Sequence, residues 1–290
     1  MAQGWGSGFR FLACGKVLMS TAHSPRPQQR SIADMSTLAG RVALVTGGAG
    51  HIGRVLCEAL TEVGATVCIT DVSEDACALA VREGWASSSF PVDLRDESAT
   101  RRVVPNVLAK HDRLDVLVHC AAYVGTSQRA GWAVPFAEQT SEAWREAMEV
   151  NLTSAFELSQ EAAPHLASSG HGSIVFVSSI YGIVGPDFSL YEGTSMANPA
   201  AYGASKAGLL QLGRYLATAL APAVRVNCIT PGGVSRNQPR EFVDRYVGRT
   251  PLGRMATEED FKGAIVYLAS DLSSYVTGHN LVVDGGWTSW

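Results

Sequence analysis

From residue 40 onward, short apolar runs rich in β-branched residues alternate with longer segments of helical character. This pattern constrains the fold of the 290-residue chain more than any other feature. The predicted strands are 42–46, 66–70, 116–119, 173–177, 224–229 and 280–283, and the predicted helices include 54–62, 98–111, 143–166 and 202–220. Near-continuous apolar strands separated by helices are typical of a parallel sheet covered on both faces. The sequence therefore predicts a doubly wound α/β domain over residues 37–290.

A glycine-rich turn directly follows the first predicted strand. Residues 46–53 read Thr-Gly-Gly-Ala-Gly-His-Ile-Gly, which places G-x-G-x-x-G between a strand and a helix. Glycines there permit a tight turn and let the backbone approach a pyrophosphate, which the free N–H groups of the helix N-terminus stabilise. The alternative is a turn that only closes the strand. We predict a Rossmann-type dinucleotide site. Its cofactor-binding residues in this turn are Gly47, Gly48, Gly50, His51, Ile52 and Gly53.

Acidic residues follow the next two strands. Asp71 lies 18 residues beyond Gly53, where a carboxylate can accept hydrogen bonds from the adenosine ribose and would repel a 2′-phosphate. Its position favours NAD over NADP, although Asp71 could merely cap a turn, and nearby Arg54 keeps NADP open. Asp93, followed by Leu94, is a candidate partner for the adenine amino group or, alternatively, a turn-forming residue.

Tyr202 and Lys206 are four residues apart in a predicted helix, so their side chains share one face. A free phenol titrates near pH ~10, and a cation within about 4–6 Å favours the phenolate. The pair predicts a tyrosine whose pKa is low enough for proton transfer near neutral pH. Because this spacing is common in helices, a solvated surface pair is the alternative.

Composition argues against several classes of protein. The formal charge is −4, so no basic excess points to nucleic acid. The longest apolar runs are far shorter than the roughly 20 residues that cross a bilayer. The six cysteines form no C-x-x-C pair and have no accompanying histidine cluster, so neither a zinc site nor a disulfide framework is predicted. We expect a cytoplasmic protein with reduced thiols, no metal, and no nucleic-acid or membrane partner.

Residues 1–36 differ in composition from the rest of the chain. They are rich in Gly, Ser, Gln, Pro and basic residues, and the first acidic residue is Asp34. This composition predicts a disordered tail. Three alternatives remain open: a lipoprotein-like cleavage site at 11–14, an organellar transit peptide, or an upstream start with the natural one at Met35.

With further motifs added, the chain resembles the single-domain branch of the short-chain dehydrogenase/reductase family over residues 38–290. The segments that carry the resemblance are Thr46 to Gly53, Asp93, His119-Cys120-Ala121-Ala122, Asn151, Ser178-Ser179, Tyr202 with Lys206, Asn227, Pro231-Gly232 and Val283-Asp284-Gly285-Gly286-Trp287. The resemblance implies an NAD(P)-dependent enzyme that interconverts CH–OH groups and ketones.

The resemblance also implies catalytic roles. Tyr202 would be the general acid/base that protonates the carbonyl oxygen during reduction. Lys206 would lower the pKa of Tyr202 and hold the nicotinamide ribose. Ser179 would stabilise charge on the reacting oxygen, and Asn151 would hold a water in a proton relay. Ser178 is the alternative reactive serine, and Asn151 could be an ordinary buried polar residue.

The remaining implied contacts are to the cofactor, which supplies the hydride. They come from Ala121 after the fourth strand and from Pro231, Gly232 and Val234, which would lie against the nicotinamide. The alternative for Pro231-Gly232 is a turn without a ligand.

Three departures from the family pattern bear on substrate and cofactor. His51 replaces a common glycine, and His119-Cys120 replaces a usual Asn pair, which puts a hydrogen bond between strands in doubt. About ten residues are inserted within 186–199, between Ser179 and Tyr202. Tyr191 lies nearer the usual spacing but has Ser195 where a lysine is needed. We expect this polar insert to loop out beside the site and to suit a hydroxyl-rich ligand, with a solvated loop as the alternative.

The segment after Gly233 matches the family's mobile substrate lid. Its arginines, Arg236 and Arg240, could clamp a carboxylate or phosphate, or could simply solvate a helix start. The insert and lid resemble those of gluconate 5-dehydrogenases and surface-sugar enzymes. We therefore expect a sugar, sugar acid or activated sugar as substrate.

Two other functions stay open. The first is a 3-oxoacyl thioester reductase, which Asp71 disfavours because such enzymes usually select NADPH. The second is a non-catalytic dinucleotide sensor or scaffold. The resemblance also implies a homo-oligomer, a tetramer or a dimer.

Overall fold

The protein is represented by a computed structural model that describes residues 29–125, 127 and 129–290. The strands are β1 (Val42–Thr46), β2 (Thr66–Thr70), β3 (Ser88–Ser89), β4 (Val116–His119), β5 (Gly172–Val177), β6 (Val224–Pro231) and β7 (Asn280–Val283). The helices are α1 (Ile32–Ser36), α2 (His51–Glu62), α3 (Glu74–Arg82), α4 (Glu97–His111), α5 (Ser141–Met148), α6 (Ser154–Ser169), α7 (Ala200–Ala219), α8 (Arg240–Gly248) and α9 (Lys262–Ala269).

All described strands join one parallel sheet in the order β3-β2-β1-β4-β5-β6-β7. The predicted doubly wound α/β fold is confirmed, and β3 is the strand expected before Asp93, whose bounds were not predicted. The strand order reverses between β1 and β4, so a crevice opens at their carboxyl ends. Ligands bind at this position in open α/β sheets.

Apolar residues cover both faces of the sheet, as the nearly uninterrupted apolar strands require. On one face, Leu56 and Leu60 of α2 and Leu268 of α9 are buried together with residues of β1 and β4. On the other face, Val103 of α4 and Leu158 of α6 belong to a second buried cluster, which also includes residues of α7.

The predicted helix 143–166 is interrupted in the structure. A π-helical turn, Glu149–Thr153, separates α5 from α6. Such turns are rare, and they often occur at functional sites because they reorient one or two side chains. Hydrophobic periodicity does not reveal this interruption, since the chain stays helical through it.

Part of the predicted disordered tail differs from the expectation. Ile32–Ser36 form α1, and Ser31 and Asp34 cap it reciprocally. Arg30 makes an ion pair with Asp271 at 2.6 Å. Residues 1–28, including the segment 11–14, lie outside the described residues.

Among the described residues, no helix has the length and hydropathy needed to span a membrane. Over the same residues, no group of three or more His, Cys, Asp or Glu side chains is placed to hold a metal ion. The cysteines in this part of the chain are free thiols: Cys57, Cys68, Cys77, Cys120 and Cys228.

Candidate active site

The glycine loop, residues 47–53, leads from β1 into α2 at the carboxyl edge of the sheet. Gly47 has φ +64°, and a Cβ there would lie 2.8 Å from Ala121 Cα. A Cβ on Gly53 would lie 2.0 Å from the Gly47 carbonyl oxygen. Side chains are therefore excluded at both positions, and Ala121 closes the loop from the β4 side.

The first turn of α2 remains open to a ligand. Its N-cap is Gly50, which makes no side-chain capping bond, whereas α3, α4 and α5 are capped by Ser73, Asp96 and Thr140. The N-terminal N–H groups of a helix lack intrahelical partners and carry a partial positive charge. The loop and this open turn thus fit the diphosphate of a dinucleotide.

Thr46 joins the ends of β1 and β4 beneath the loop. Its Oγ1 accepts hydrogen bonds from the backbone N–H groups of Cys120 and Ala121, both at 3.1 Å. With both lone pairs engaged, the hydroxyl donates to His119 Nδ1, also 3.1 Å away. The inter-strand hydrogen bond that the His119-Cys120 departure put in doubt is therefore present, with Thr46 as the partner.

His119 is a neutral, fully buried imidazole. Burial, with a contribution from the charge of Lys206, lowers its pKa to about 3. Because Nδ1 accepts from Thr46, the ring proton resides on Nε2, and interaction with the backbone of Val150 and Asn151 partly opposes the lowering of the pKa. His119 is thus a structural link beneath the site at neutral pH.

Asp71 lies just beyond β2 and faces the glycine loop. Its Oδ2 accepts from the Ala49 N–H at 3.3 Å, and its Oδ1 accepts from the Ser73 N–H at 3.4 Å. Asp71 therefore caps the turn that starts α3, which is the alternative considered from the sequence, and it also contacts the glycine loop. Its carboxylate is partly exposed beside the loop, where it can meet a ribose.

Asp93 is already engaged by another side chain. The Arg95 guanidinium binds both of its carboxylate oxygens at 2.6–3.0 Å. This hydrogen bonding lowers the pKa of Asp93 despite partial burial. Leu94 is buried in the core, so its side chain is not presented to a ligand. The sequence did not anticipate Arg95, although an Asp-x-Arg triplet permits such a bidentate pair.

Asn151 is positioned by the π-helical turn. Its Oδ1 accepts from the Tyr123 N–H at 2.7 Å, and its Nδ2 donates to Ser205 Oγ at 3.0 Å. The side chain is fully buried. It therefore connects the segment after β4 with α7, the helix that carries Tyr202 and Lys206.

The two candidate serines at the end of β5 have different partners. Ser178 Oγ donates to the backbone carbonyl of Lys206 at 2.8 Å, so this hydroxyl serves to anchor α7. Ser179 Oγ accepts from the Tyr181 N–H at 3.2 Å, and its hydroxyl also interacts with the Tyr202 phenol. The geometry favours Ser179 over Ser178 as the partner of a reacting oxygen.

Lys206 is buried at the base of the site. Its Nζ donates to the Val177 carbonyl oxygen at 2.7 Å and lies 5.9 Å from the centre of the Tyr202 ring. Burial lowers its pKa to about 8. The ammonium is thus held at the end of β5, below the phenol.

The sequence predicted a lowered pKa for Tyr202, and the structure differs. Burial raises the pKa of the phenol, while the Ser179 hydroxyl opposes that effect. Tyr202 is partly buried, and desolvation dominates its pKa because protein atoms surround the phenol and the Lys206 ammonium points to a backbone carbonyl. In the ligand-free protein, Tyr202 is therefore a protonated phenol, which suits a proton donor.

The segment after β6 closes the other side of the site. The Gly232 N–H donates to the Val283 carbonyl at 2.9 Å, and a Cβ on Gly232 would lie 2.8 Å from Asp284 Cα. Val234 makes an isolated β-bridge with Ala256. Pro231, Gly232 and Val234 are therefore held at the carboxyl edge, beside β5.

The insert 186–199 is folded onto α8. It contains a short helix, Phe188–Tyr191, and Arg245 donates to the carbonyls of Ser189, Leu190 and Glu192 at 2.6–3.4 Å. Asp187 pairs with Arg249. The sequence led us to expect polar side chains of the insert to face a ligand. Most of them instead form hydrogen bonds or ion pairs within the protein, as buried polar groups generally do.

Two phenols connect the insert to the segment after β5. Tyr191 and Tyr181 share a hydrogen bond at 2.7 Å between their hydroxyls, and Asn198 Nδ2 donates to the Tyr191 hydroxyl at 3.2 Å. Tyr191 also packs on Phe242 of α8, with ring centroids 5.4 Å apart. We call the insert 186–199, packed on α8, the cap. The sequence did not indicate that Tyr181 and Arg245 contact it, because their partners are distant in the chain.

The charged residues of the lid are separated. The Arg236 Nε lies 2.9 Å from Glu258 Oε1. Arg240 has a side chain that is 90% exposed and pairs with Asp244 one helical turn later. The structure therefore brings Arg236 towards the site and leaves Arg240 in solvent.

Comparison with known proteins agrees with this geometry. A family model described as enoyl-(acyl carrier protein) reductase matches residues 47–288. The chain is 37% identical over 259 residues to cis-4-hydroxycyclohexanecarboxylate dehydrogenase of Sinomonas cyclohexanicum, which covers 87% of this chain and 98% of the relative.

Two solved structures share the fold. A short-chain dehydrogenase from Leptospira borgpetersenii with bound NAD⁺ has a TM-score of 0.78 and 32% identity, covering 92% of this chain and 99% of its own. A gluconate 5-dehydrogenase from Burkholderia cenocepacia, in complex with NADP and tartrate, has a TM-score of 0.77 and 29% identity, covering 90% and 100%. With the glycine loop, Tyr202 and Lys206 assembled at one edge of a parallel sheet, the chain belongs to the short-chain dehydrogenase/reductase family, as a single-domain oxidoreductase that acts on secondary alcohols.

Proposed function

We propose that this oxidoreductase uses NAD and interconverts a secondary alcohol and a ketone on a small, polar ring, such as a sugar or sugar acid. The observation that carries the proposal is the convergence of Ser179, Tyr202 and Lys206 beside an open glycine loop that Asp71 flanks. The cofactor supplies or accepts the hydride. The chain's own residues then have to move one proton and stabilise one oxygen.

The proton transfer is assigned to Tyr202. In reduction, its protonated phenol donates to the developing alkoxide, and the Ser179 hydroxyl donates a second hydrogen bond to that oxygen. In oxidation, the phenolate removes the alcohol proton. The Lys206 ammonium lies below the ring and is assigned to return a proton to the phenolate, while the Asn151 amide holds α7 in place through Ser205.

The NAD preference rests on Asp71. A second negative charge beside its carboxylate would be repelled, whereas ribose hydroxyls can donate to it. The test is titration with NADH and NADPH, followed by the variant Asp71→Ser. We expect NADH to bind more tightly and Asp71→Ser to shift the ratio of the two affinities towards NADPH by about tenfold or more. Asp75→Ser, on α3, removes the same charge and should leave the ratio unchanged. Preferential binding of NADPH by the unaltered protein would contradict the proposal.

The substrate class rests on the folded insert. Because Arg245 ties it to α8 and Tyr191 packs on Phe242, the cap is compact, which favours a small ring over a long acyl chain. The hydroxycyclohexanecarboxylate dehydrogenase relative supports this class. A panel of sugar acids, polyols, hydroxycyclohexane carboxylates and 3-oxoacyl thioesters, followed at the reduced nicotinamide absorbance, tests it. Turnover confined to the thioesters would overturn the ring substrate.

Neither alternative function is favoured. The capped site and Asp71 oppose a 3-oxoacyl reductase, and membership of a dehydrogenase family opposes a non-catalytic sensor.

We also propose a homotetramer in the cytoplasm. Apolar side chains on α5, α6 and the C-terminus remain partly or largely exposed, among them Trp144 (42%), Phe156 (42%) and Trp290 (78%). Contact with further copies of the chain would remove these large apolar side chains from water. Free thiols at the described cysteines agree with a reducing compartment. Sedimentation of the purified protein tests the oligomer.

A further inference from the structure

One ion pair lies between the lid and the glycine loop and has no part in the chemistry assigned above. Arg236 Nε donates to Glu258 Oε1 at 2.9 Å, and the two side chains are 32% and 26% exposed. Ion pairs that water reaches are weak, because water screens the attraction. A stronger anion can therefore replace Glu258 as the partner of Arg236.

The turn that carries Arg236 is held by backbone and side-chain hydrogen bonds. The Ser235 N–H donates to the Ala256 carbonyl, and the Ala256 N–H donates to the Gly233 carbonyl, both at 2.9 Å. Gln238 accepts from the Arg236 N–H at 2.5 Å and donates to the Val234 carbonyl at 2.6 Å. The backbone of Arg236 is thus fixed in a hydrogen-bonded turn. Its guanidinium can exchange Glu258 for another anion without unfolding of the lid.

Glu258 lies on the side of this turn that faces the glycine loop. It begins the short helix Glu258–Phe261, which packs against α2. Partial burial raises the pKa of its carboxyl, but the hydrogen bond from Arg236, with added attraction from Arg236 and His51, brings the pKa below its ordinary value. His51 is the first residue of α2, so Glu258 is a carboxylate close to the open first turn of that helix.

Arg236 also faces the reacting groups. Its charge acts on both Tyr202 and Cys120. Arg236 is therefore near enough to the phenol and to the end of β4 to affect their charge, and its partner Glu258 belongs to the short helix that packs against α2.

We propose that Arg236 is a ligand of the dinucleotide diphosphate and that Glu258 is an internal anion that the diphosphate displaces from it. A guanidinium binds phosphate oxygens through two parallel donors, which favours the diphosphate over the single contact with Glu258. Glu258 in turn repels the diphosphate until Arg236 has moved. This inference rests on the proposed function, since it requires that the site take a dinucleotide.

The experiment measures binding of ADP-ribose, which contains the diphosphate but neither nicotinamide nor substrate, by calorimetry. Arg236→Ala should weaken binding about tenfold or more. Glu258→Gln should tighten it several-fold, and this gain should largely disappear in the double variant. Arg240→Ala removes an arginine from the same segment but one that points to solvent, so its affinity should match that of the unaltered protein. Thermal unfolding of each variant controls for folding.

The outcomes separate the hypotheses. If the unaltered protein binds ADP-ribose and Arg236→Ala binds it equally well, this inference is overturned while the proposed function stands. The inference is likewise overturned if Arg236→Ala raises only the KM for carboxylate substrates, because Arg236 then binds the substrate and not the diphosphate. If the unaltered protein binds no ADP-ribose, the proposed function fails as well. Glu258→Gln provides an independent result of opposite sign if Arg236→Ala does not fold.

Discussion

Lys206 Nζ donates a 2.7 Å hydrogen bond to the Val177 carbonyl oxygen and lies 5.9 Å from the centre of the Tyr202 ring. The ammonium is therefore anchored to β5 beneath the phenol. This relationship makes α7 and β5 one unit at the carboxyl edge of the sheet. It also explains why burial, and not the neighbouring cation, dominates the pKa of Tyr202 in the ligand-free protein.

Tyr202→Phe should lower turnover at least about 10²–10⁴-fold, because positioned proton transfer contributes an effect of that size. Binding of NADH, followed by quenching of protein fluorescence, should change little, since the ring remains. Tyr215→Phe alters an exposed tyrosine of the same helix and should retain full activity. Normal activity in Tyr202→Phe would exclude this phenol as the acid/base.

The pKa of Tyr202 should depend on the cofactor. Burial raises it in the free protein, whereas the positive charge of bound NAD⁺ favours the phenolate. An ultraviolet difference titration of the unaltered protein against Tyr202→Phe should show a pKa above the ordinary value without cofactor and a lower one with NAD⁺. A pKa that is lowered before NAD⁺ is added would mean that Lys206 alone tunes the phenol, as the sequence suggested.

Lys206→Met should abolish activity and alter the dependence of stability on pH. Burial lowers the pKa of Lys206 from 10.5 to about 8, so between these values the unfolded chain binds more protons than the folded one. The free energy of unfolding should therefore rise with pH across this window, by at most about 3 kcal/mol. Urea unfolding from pH 7 to 10 should show this rise in the unaltered protein and not in Lys206→Met. Parallel curves for the two proteins would argue against a buried, destabilised ammonium.

Thr46→Val should destabilise the protein by about 2–4 kcal/mol, because it leaves the Cys120 and Ala121 N–H groups and His119 without a buried partner. Thr46→Ser keeps the hydroxyl and should lose about 1 kcal/mol or less of stability. Chemical unfolding measures both variants. Equal losses would show that the methyl group, and not the hydroxyl, stabilises this junction.

Gly53→Ala should weaken dinucleotide binding strongly and lower stability, since the new Cβ would collide with the Gly47 carbonyl oxygen at 2.0 Å. Gly263→Ala is the matched change in α9, where nothing lies within 4 Å of the new Cβ. That variant should gain about 0.5–1 kcal/mol of stability, because alanine favours helix over glycine, and should bind NADH normally. Unimpaired binding by Gly53→Ala would show that the loop can relax.

Arg245→Met should raise KM more than it lowers kcat. Arg245 of α8 donates hydrogen bonds to three carbonyl groups of the insert. Without them the insert should be less well ordered beside the substrate. Steady-state kinetics with a substrate found in the panel measures this split. Arg240→Met, which changes an exposed residue of the same helix, is the control. A fall in kcat alone would indicate that the insert positions catalytic groups and not the substrate.

Local patterns in the sequence determined the fold class and the central residues of the site. These patterns are the alternation of strands and helices, the G-x-G-x-x-G turn at Gly48 to Gly53, and the one-turn spacing of Tyr202 and Lys206. Each involves residues that are close in the chain, so the sequence alone reveals it. The parallel sheet and its order then bring the glycine loop, Asp71 and α7 to one edge.

Only the tertiary structure decided the environment of these residues. The π-helical turn at Asn151, the Thr46–His119 link, the Arg245 contacts with the insert and the Arg236–Glu258 pair all join segments that packing brings together. The raised pKa of Tyr202 has the same origin, because desolvation depends on everything that surrounds the phenol and not on its neighbour four residues away. Periodicity and spacing are local properties of a chain, whereas burial and long-range partners exist only once it has folded.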